Sequence, residues 1–142
     1  MTEPGLDPPA TSGAAERSAR PRPSLRIAEA VLDCNRPQVA LAFWEAALGY
    51  ARGWAGGPFA ELHDPEARGL TLLFQQVPEA KIGKNRVHLD LTAPDMPGEV
   101  ARLGSLGARV LREVSESGAR WTVMADPESN EFCVVAASPA AG

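Results

Sequence analysis

The chain has 142 residues, enough for one domain with its own hydrophobic core, and its 44% hydrophobic content is ordinary for a globular protein. Its net charge of −4 and its scattered lysines and arginines provide no basic patch, which disfavours nucleic acid as a partner. The chain has no apolar run of the roughly 20 residues that span a bilayer, no signal-peptide core and only two cysteines, so we predict a cytoplasmic protein without a membrane partner.

The two ends of the chain have the composition of disordered tails. Residues 1–24 are rich in proline, alanine, serine and arginine and contain almost no large apolar side chain. Such a segment cannot bury enough surface to offset the entropy of ordering. We therefore predict tails at 1–24 and 137–142 around a single domain at 25–136.

The first half of that domain predicts one strand, one helix and three more strands. The first strand covers residues 25–33, and the helix that follows has Asn35 as its cap, Pro37 in its first turn and Gly49 at its end. The three further strands are predicted at 50–54, 59–63 and 69–77. In this pattern His63, which is followed by Asp64 and Pro65, is an exposed loop residue without a functional role.

The second half repeats the same order of elements. A strand at 85–92 precedes a helix with Asp95 as its cap and Pro97 in its first turn. The remaining strands are predicted at 108–114, 120–125 and 131–136. Two modules, 25–77 and 85–136, therefore share one pattern, and each leaves one sheet face for the partner module, a second chain or a ligand.

Each module carries one potential metal ligand at the matching place in its first strand. Glu29 lies 20 positions before Gly49 (49 − 29), and His88 lies 19 positions before Gly107 (107 − 88). On a strand, Glu29 shares a face with apolar residues such as Val31. A carboxylate there is costly unless it is paired, metal-bound or in a wet cavity. The alternative is a glutamate at a strand edge that reaches solvent or pairs with a basic residue.

His88 shares its predicted face with Asp90 and Thr92. A neutral imidazole is a good ligand for divalent metals, and a neighbouring carboxylate can fix its tautomer. The alternative is a hydrogen-bonded histidine without chemistry.

Large side chains suggest a ligand surface for a small hydrophobic or planar organic molecule. Trp54 and Phe59 flank a glycine-rich turn and can line such a surface, although core packing is the alternative for each. The predicted ligand-binding residues are Trp54, Phe59, Phe74, Asp90 and Trp121.

Three segments, at 43–50, 85–91 and 126–132, give the chain a family resemblance. They read FWEAALGY, NRVHLDL and DPESNEF. With the duplicated pattern, they resemble the vicinal oxygen chelate superfamily, which has the glyoxalase and bleomycin-resistance fold, and in particular its glyoxalase-like group. The resemblance implies an α+β fold in which two tandem βαβββ modules form a cupped, mostly antiparallel sheet.

The resemblance also implies a metal site. In metal-dependent members, the first and the last strand of each module each supply one ligand. Glu29 and His88 match the first-strand positions, and Cys133 matches the last-strand position of the second module. A count of 45 residues from Glu29 reaches Phe74, or Gln75 if a one-residue difference between the modules is allowed. The implied ligands of a divalent metal (Zn, Fe, Mn, Ni or Mg) are Glu29, Gln75, His88 and Cys133.

If the protein is an enzyme, the resemblance implies lyase, isomerase or dioxygenase-type chemistry. The metal would polarise paired ligand oxygens, and Glu29 or Glu131 would move a proton. The alternative is a metal-free protein that sequesters a hydrophobic compound, as in bleomycin resistance. A third alternative is a structural subunit, and the resemblance implies a homodimer in each case.

Overall fold

The computed structural model describes Pro21 and residues 23–138, so the predicted tails lie almost entirely outside the described residues. Within them, one strand, one helix and three strands follow each other twice. The elements are β1 (Ala30–Cys34), α1 (Pro37–Leu48), β2 (Ala51–Gly56), β3 (Phe59–His63), β4 (Leu72–Gln76), β5 (Leu89–Ala93), α2 (Met96–Ser105), β6 (Arg109–Glu116), β7 (Ala119–Ala125) and β8 (Glu131–Ala136). The predicted α+β fold with two tandem modules is confirmed.

The eight strands form two four-stranded mixed sheets. The first sheet has the order β1-β4-β3-β2, and the second has the order β5-β8-β7-β6. In each sheet the first strand of the module pairs parallel with the last one, and all other pairs are antiparallel. The first strand of each module is therefore an edge strand, which leaves one of its sides free to face the other module.

The two helices begin differently. At α2, Asp95 accepts a hydrogen bond from the Gly98 backbone N–H at 3.1 Å, as predicted for a cap. At α1, the predicted cap is wrong: the helix follows Arg36, and no side chain caps it. Asn35 instead donates from Nδ2 to the carbonyl oxygens of Val77 and Glu79, because its side chain turns toward the linker between the modules.

One face of each sheet is covered by a helix, and the alternation of side chains defines the other face, which we call the open face. The helix-covered face carries core residues such as Phe74, Met124 and Phe132. By strand alternation and register, the open face of the first sheet carries Val31, Asp33, Leu73, Gln75, Phe59, Glu61 and His63, and that of the second carries Asp90, Cys133, Val123 and Trp121.

The two modules share one hydrophobic core. The Trp44 ring of α1 lies 5.0 Å from the Phe132 ring of β8, edge to face. Polar contacts reinforce this junction, because Arg36 pairs with Glu128 at 2.9 Å and Asn130 donates to the Asp33 carbonyl oxygen at 2.8 Å. The first strands of the two modules are thereby held beside each other.

The segment before β1 differs from the prediction. Leu25 and Ile27 are 91% and 85% exposed, and β1 begins only at Ala30. The expected apolar strand face around Glu29 is therefore wrong, because those side chains have no sheet or helix to pack against. Among the described residues, no helix is long and apolar enough to cross a membrane.

Candidate functional site

A cleft of about 250 Å³ lies between the first strands of the two modules. Its apolar lining includes Leu32 of β1 and Leu89 of β5, together with Trp44 and Phe132 from the shared core. Its polar lining consists of Asp33, Asn85, His88, Asn130 and Glu131. The cleft therefore combines an apolar body with a few convergent polar groups, as small-molecule sites do.

Three side chains with different ligand atoms meet at the end of the second sheet where β5 and β8 begin. An imidazole nitrogen of His88, a carboxylate oxygen of Asp90 and the Cys133 thiol sulfur all lie within 4.8 Å of one another. Asp90 pairs with Cys133 between β5 and β8, and His88 lies two residues before Asp90, directly ahead of β5. His88 Nε2 is 3.1 Å from Asp90 Oδ1. We call these residues the three-donor group.

The three-donor group fits a divalent metal by the chemistry of its donors. Nitrogen, oxygen and sulfur are the ligand atoms of zinc sites, and three protein ligands leave a coordination position for a substrate oxygen. Burial raises the pKa of the Cys133 thiol, and the Asp90 carboxylate raises it further. In the metal-free protein the thiol therefore keeps its proton, which a bound cation would displace.

The strand registers identify the equivalent position in the first module. Asp90 pairs with Cys133, and the residue equivalent to Asp90, Val31, pairs with Leu73. Leu73 is therefore the residue of the first module that corresponds to Cys133, whereas the count along the sequence gave Phe74 or Gln75 as the fourth ligand. Gln75 lies two residues further along β4, on the same open face beside Asp33, and its role as a ligand stays a prediction.

The two predicted proton-transfer residues have different surroundings. Glu29 is half-buried just before β1 and does not belong to the three-donor group, which contains only residues of the second module among those described. Glu131 lines the cleft and accepts hydrogen bonds from Lys84 Nζ at 2.7 Å and from the Asn85 backbone N–H at 3.3 Å. The hydrogen bond from Lys84 lowers the pKa of Glu131, so that carboxylate is a weak base.

The predicted aromatic residues do not form one wall. Trp54 and Phe59 lie together in the first module with ring centroids 6.1 Å apart, and Trp54 is 59% exposed. Trp121 belongs to the open face of the second sheet, where it pairs with Val135. Phe74 is fully buried in the core on the helix-covered face.

The residues that line the cleft include several that the sequence did not identify. Trp44 belongs to the segment FWEAALGY of α1, but its place in the cleft depends on the second module. Asn85 belongs to the segment NRVHLDL, which predicts only the start of a strand at this position, whereas β5 begins at Leu89. His63 ends β3 on the open face instead of lying in a loop, and the alternation of Phe59, Glu61 and His63 was the signal for this.

Comparison with protein families gives one match that covers most of the chain. A family model described as a glyoxalase-like domain matches residues 29–135. No curated protein sequence matches.

Solved structures with the same fold include enzymes and resistance proteins. A mutant of the fosfomycin resistance protein FosX from Listeria monocytogenes, complexed with Mn(II) and a dihydroxypropylphosphonic acid, superposes with a TM-score of 0.67 at 13% identity over 80% of this chain and 90% of that one. Lactoylglutathione lyase from Agrobacterium tumefaciens superposes with a TM-score of 0.61 at 18% identity over 81% of this chain and 96% of that one. A glyoxalase/bleomycin resistance protein/dioxygenase from Nocardioides superposes with a TM-score of 0.66 at 17% identity over 94% of this chain and 96% of that one.

Proposed function

The chain belongs to the glyoxalase-like domain family of the vicinal oxygen chelate superfamily, and from this we propose that it is a metal-dependent enzyme acting on a small organic molecule. The ligand would lie in the cleft between the first strands of the two modules. His88, Asp90 and Cys133 would hold a divalent metal at its edge. The reaction class we propose is lyase, isomerase or dioxygenase-type chemistry.

The observation that supports this proposal most is the three-donor group itself. Its three ligand atoms lie within 4.8 Å of one another although His88 and Cys133 are 45 residues apart in the chain (133 − 88). An exposed carboxylate alone would not indicate a metal site. An imidazole and a nearly buried thiol beside it make a donor set that suits first-row divalent metals.

In the proposed reaction, a bound metal and the side chains of the protein would have different roles. A bound metal would polarise paired oxygens of the ligand as a Lewis acid. The apolar lining of the cleft would hold the ligand's hydrocarbon part and exclude water, and Asp90 would fix the orientation of the His88 ring. Glu29 is the proposed proton acceptor of the site, because Lys84 already engages Glu131 and no described residue forms an ion pair with Glu29.

Metal analysis of protein purified without chelators tests the proposal. We expect about one divalent ion per chain in the wild type and its loss in His88→Ala and Cys133→Ser. The chain offers matched controls, because its only other histidine and cysteine are His63 and Cys34. His63→Ala and Cys34→Ser should retain the ion, and equal metal content in all variants would contradict the proposed site. In Glu29→Ala we expect metal to be retained and activity lost.

A metal-free binding protein is the second candidate, and Leu73 is the observation in its favour. An apolar side chain at the fourth ligand position weakens metal binding and extends the apolar surface. This candidate predicts no metal in the wild type together with saturable quenching of tryptophan fluorescence by a planar hydrophobic compound. Trp44→Phe should reduce that quenching, because Trp44 lines the cleft.

We also propose that the protein is a homodimer. Besides the resemblance, large apolar side chains remain exposed in the chain, including Val110 and Leu111 on the edge strand β6. Sedimentation equilibrium should give twice the mass of 15.0 kDa, and a monomer at all concentrations would refute this.

A further inference from the structure

One side-chain oxygen beside the cleft has no hydrogen-bond donor. Asn85 lines the cleft between the two modules. Its Oδ1 atom is buried from solvent, and no group of the described residues donates a hydrogen bond to it. A buried acceptor without a donor destabilises a protein, so such atoms in native structures indicate a partner that the chain itself does not supply.

The orientation of the Asn85 amide group follows from its neighbours. Asn130 Nδ2 donates to the Asp33 carbonyl oxygen at 2.8 Å, which leaves Asn130 Oδ1 to face Asn85. Asn85 Nδ2 lies 3.5 Å from that oxygen. If the Asn85 amide were turned over, two acceptor oxygens would face each other without a proton between them. The oxygen is therefore the end of the Asn85 side chain that remains without a partner.

The backbone of Asn85 is also held beside the cleft. Glu131 Oε2 accepts the Asn85 backbone N–H at 3.3 Å and the Lys84 ammonium at 2.7 Å. Consecutive residues at the start of β8, Asn130 and Glu131, thus contact the side chain and the backbone of Asn85. Because Asn85 belongs to no helix or strand, a small rotation of its side chain is enough to bring Oδ1 to a molecule in the cleft.

The charged groups of the cleft lining are carboxylates. Asp33 and Glu131 line the cleft, and the lining contains no lysine or arginine among the residues that the structure describes. Lys84 pairs with Glu131, whereas Asp33 forms no ion pair with any described residue. A ligand with a carboxylate or phosphonate group would meet a like charge here, which opposes binding. The lining therefore favours neutral or positively charged molecules.

We infer that Asn85 determines which ligands the cleft accepts, because its Oδ1 accepts a hydrogen bond from an O–H or N–H group of a neutral or positively charged molecule. The inference rests on the proposed function for the presence of a ligand in the cleft, but it does not need the metal. A cavity of about 150 Å³ holds benzene. The cleft of about 250 Å³ therefore admits one ring with a short polar substituent. A site built around such a hydrogen bond rejects an analogue that lacks the donor.

Four probes with the same phenyl ring test the inference. Benzyl alcohol and benzylammonium carry a donor, benzyl methyl ether carries none, and phenylacetate carries none and adds a negative charge. Titration of the full chain in the presence of a chelator, followed through the backbone ¹H–¹⁵N signals of His88 and Leu89 in the cleft lining, gives each Kd. We expect the two donors to bind about tenfold more tightly than the ether, as one hydrogen bond provides, and phenylacetate to bind most weakly.

Variants of two asparagines assign the preference to one side chain. Asn85→Ala should bind benzyl alcohol and the ether with equal affinity, because the acceptor is gone and only the shared ring contacts remain. Asn85→Leu keeps more of the side-chain volume and should show the same loss, which covers a failure of the alanine variant to fold. Asn35→Ala is the matched control. Its amide donates to the Val77 and Glu79 carbonyl oxygens outside the cleft, so the tenfold preference should remain.

The possible results separate this inference from the proposed function. If the ether binds the wild type as tightly as benzyl alcohol, or if Asn85→Ala retains the preference, the role of Asn85 is overturned while the cleft stays a ligand site. If no probe shifts the signals of His88 and Leu89, the ligand site in the cleft is refuted and the inference with it. Tight binding of phenylacetate would refute the conclusion that the cleft disfavours anions.

Discussion

The residue that joins the two modules most directly is Asp126, whose carboxylate is fully buried. It accepts hydrogen bonds from Trp44 Nε1 at 2.9 Å and from the backbone N–H groups of Glu128 and Asn130. Burial raises the pKa of Asp126, while the hydrogen bonds oppose that shift. The sequence segments at 43–50 and 126–132 contain these two residues but do not reveal their contact, since 82 positions separate them.

Trp44→Phe should therefore destabilise the fold beyond the loss of ring area. Phenylalanine keeps most of the apolar contact but removes one of three donors to a buried carboxylate, at a cost of about 1–3 kcal/mol. Urea denaturation of wild type and variant measures this difference. Trp54→Phe is the control, because that exposed side chain should change the free energy of unfolding by less than about 0.5 kcal/mol.

The two cysteines should resist alkylation in the folded, metal-free protein. Burial raises the pKa of the Cys34 thiol to about 11 and also raises that of Cys133, to which Asp90 adds. Because the thiolate is the nucleophile, iodoacetamide should modify neither residue appreciably at neutral pH.

Asp90→Asn should accelerate alkylation of Cys133 and leave Cys34 unchanged, as followed by mass spectrometry of peptides. Equal acceleration at both sites would indicate general unfolding instead of a local electrostatic effect.

At the scale of the elements, sequence patterns among neighbouring residues predicted the strand and helix bounds, whereas pairings between distant residues were not predicted. The bounds of β3 and β8 match the predicted 59–63 and 131–136, because turn formers enclose both strands. The predictions that Asp95 caps α2 and that Gly49 ends α1 also rest on neighbouring residues, and both are confirmed. The residue of the first module that corresponds to Cys133 depends on how β1 and β4 align across the sheet, so counting along the chain does not identify it as Leu73.

Replacement of Gly49 and of Gly104 by alanine should change the stability of the protein in opposite directions. Gly49 ends α1 with a φ of +68°, which costs a residue with a side chain about 1–2 kcal/mol. Gly104 lies inside α2 with open space around its Cα, where alanine should stabilise the protein by about 0.5–1 kcal/mol. Thermal unfolding of both variants tests the pair, and the same sign of change in both would contradict this account.

At the scale of the whole molecule, the shared core makes the two modules one cooperative unit. Phe132 of the second module packs against Phe43 and Trp44 of the first, so neither module buries its apolar surface alone. The family resemblance predicted the tandem modules, but the sequence did not say whether they pack within one chain. The structure answers this for a single chain through the contacts of α1.

Phe132→Ala should consequently lower the stability of both modules by about 3–5 kcal/mol. Native-state hydrogen exchange is the measurement, with amides of β4 in the first module and β8 in the second as reporters. A loss of protection confined to β8 would show that the modules unfold separately. Ile82→Ala, at a side chain that is 87% exposed, is the control and should leave both sets of amides protected.

The leucine at position 73 has a consequence for selectivity. If both modules carried the same polar groups, their open faces would present equal surroundings to the two ends of a ligand bound between the modules, and a molecule could bind in either direction. Here the second sheet offers His88, Asp90 and Cys133, and the related positions of the first sheet offer Val31 and Leu73. Under the proposed function, a molecule with two similar ends would meet two different surfaces, so the duplicated architecture would bind it in one direction and form a single stereoisomer.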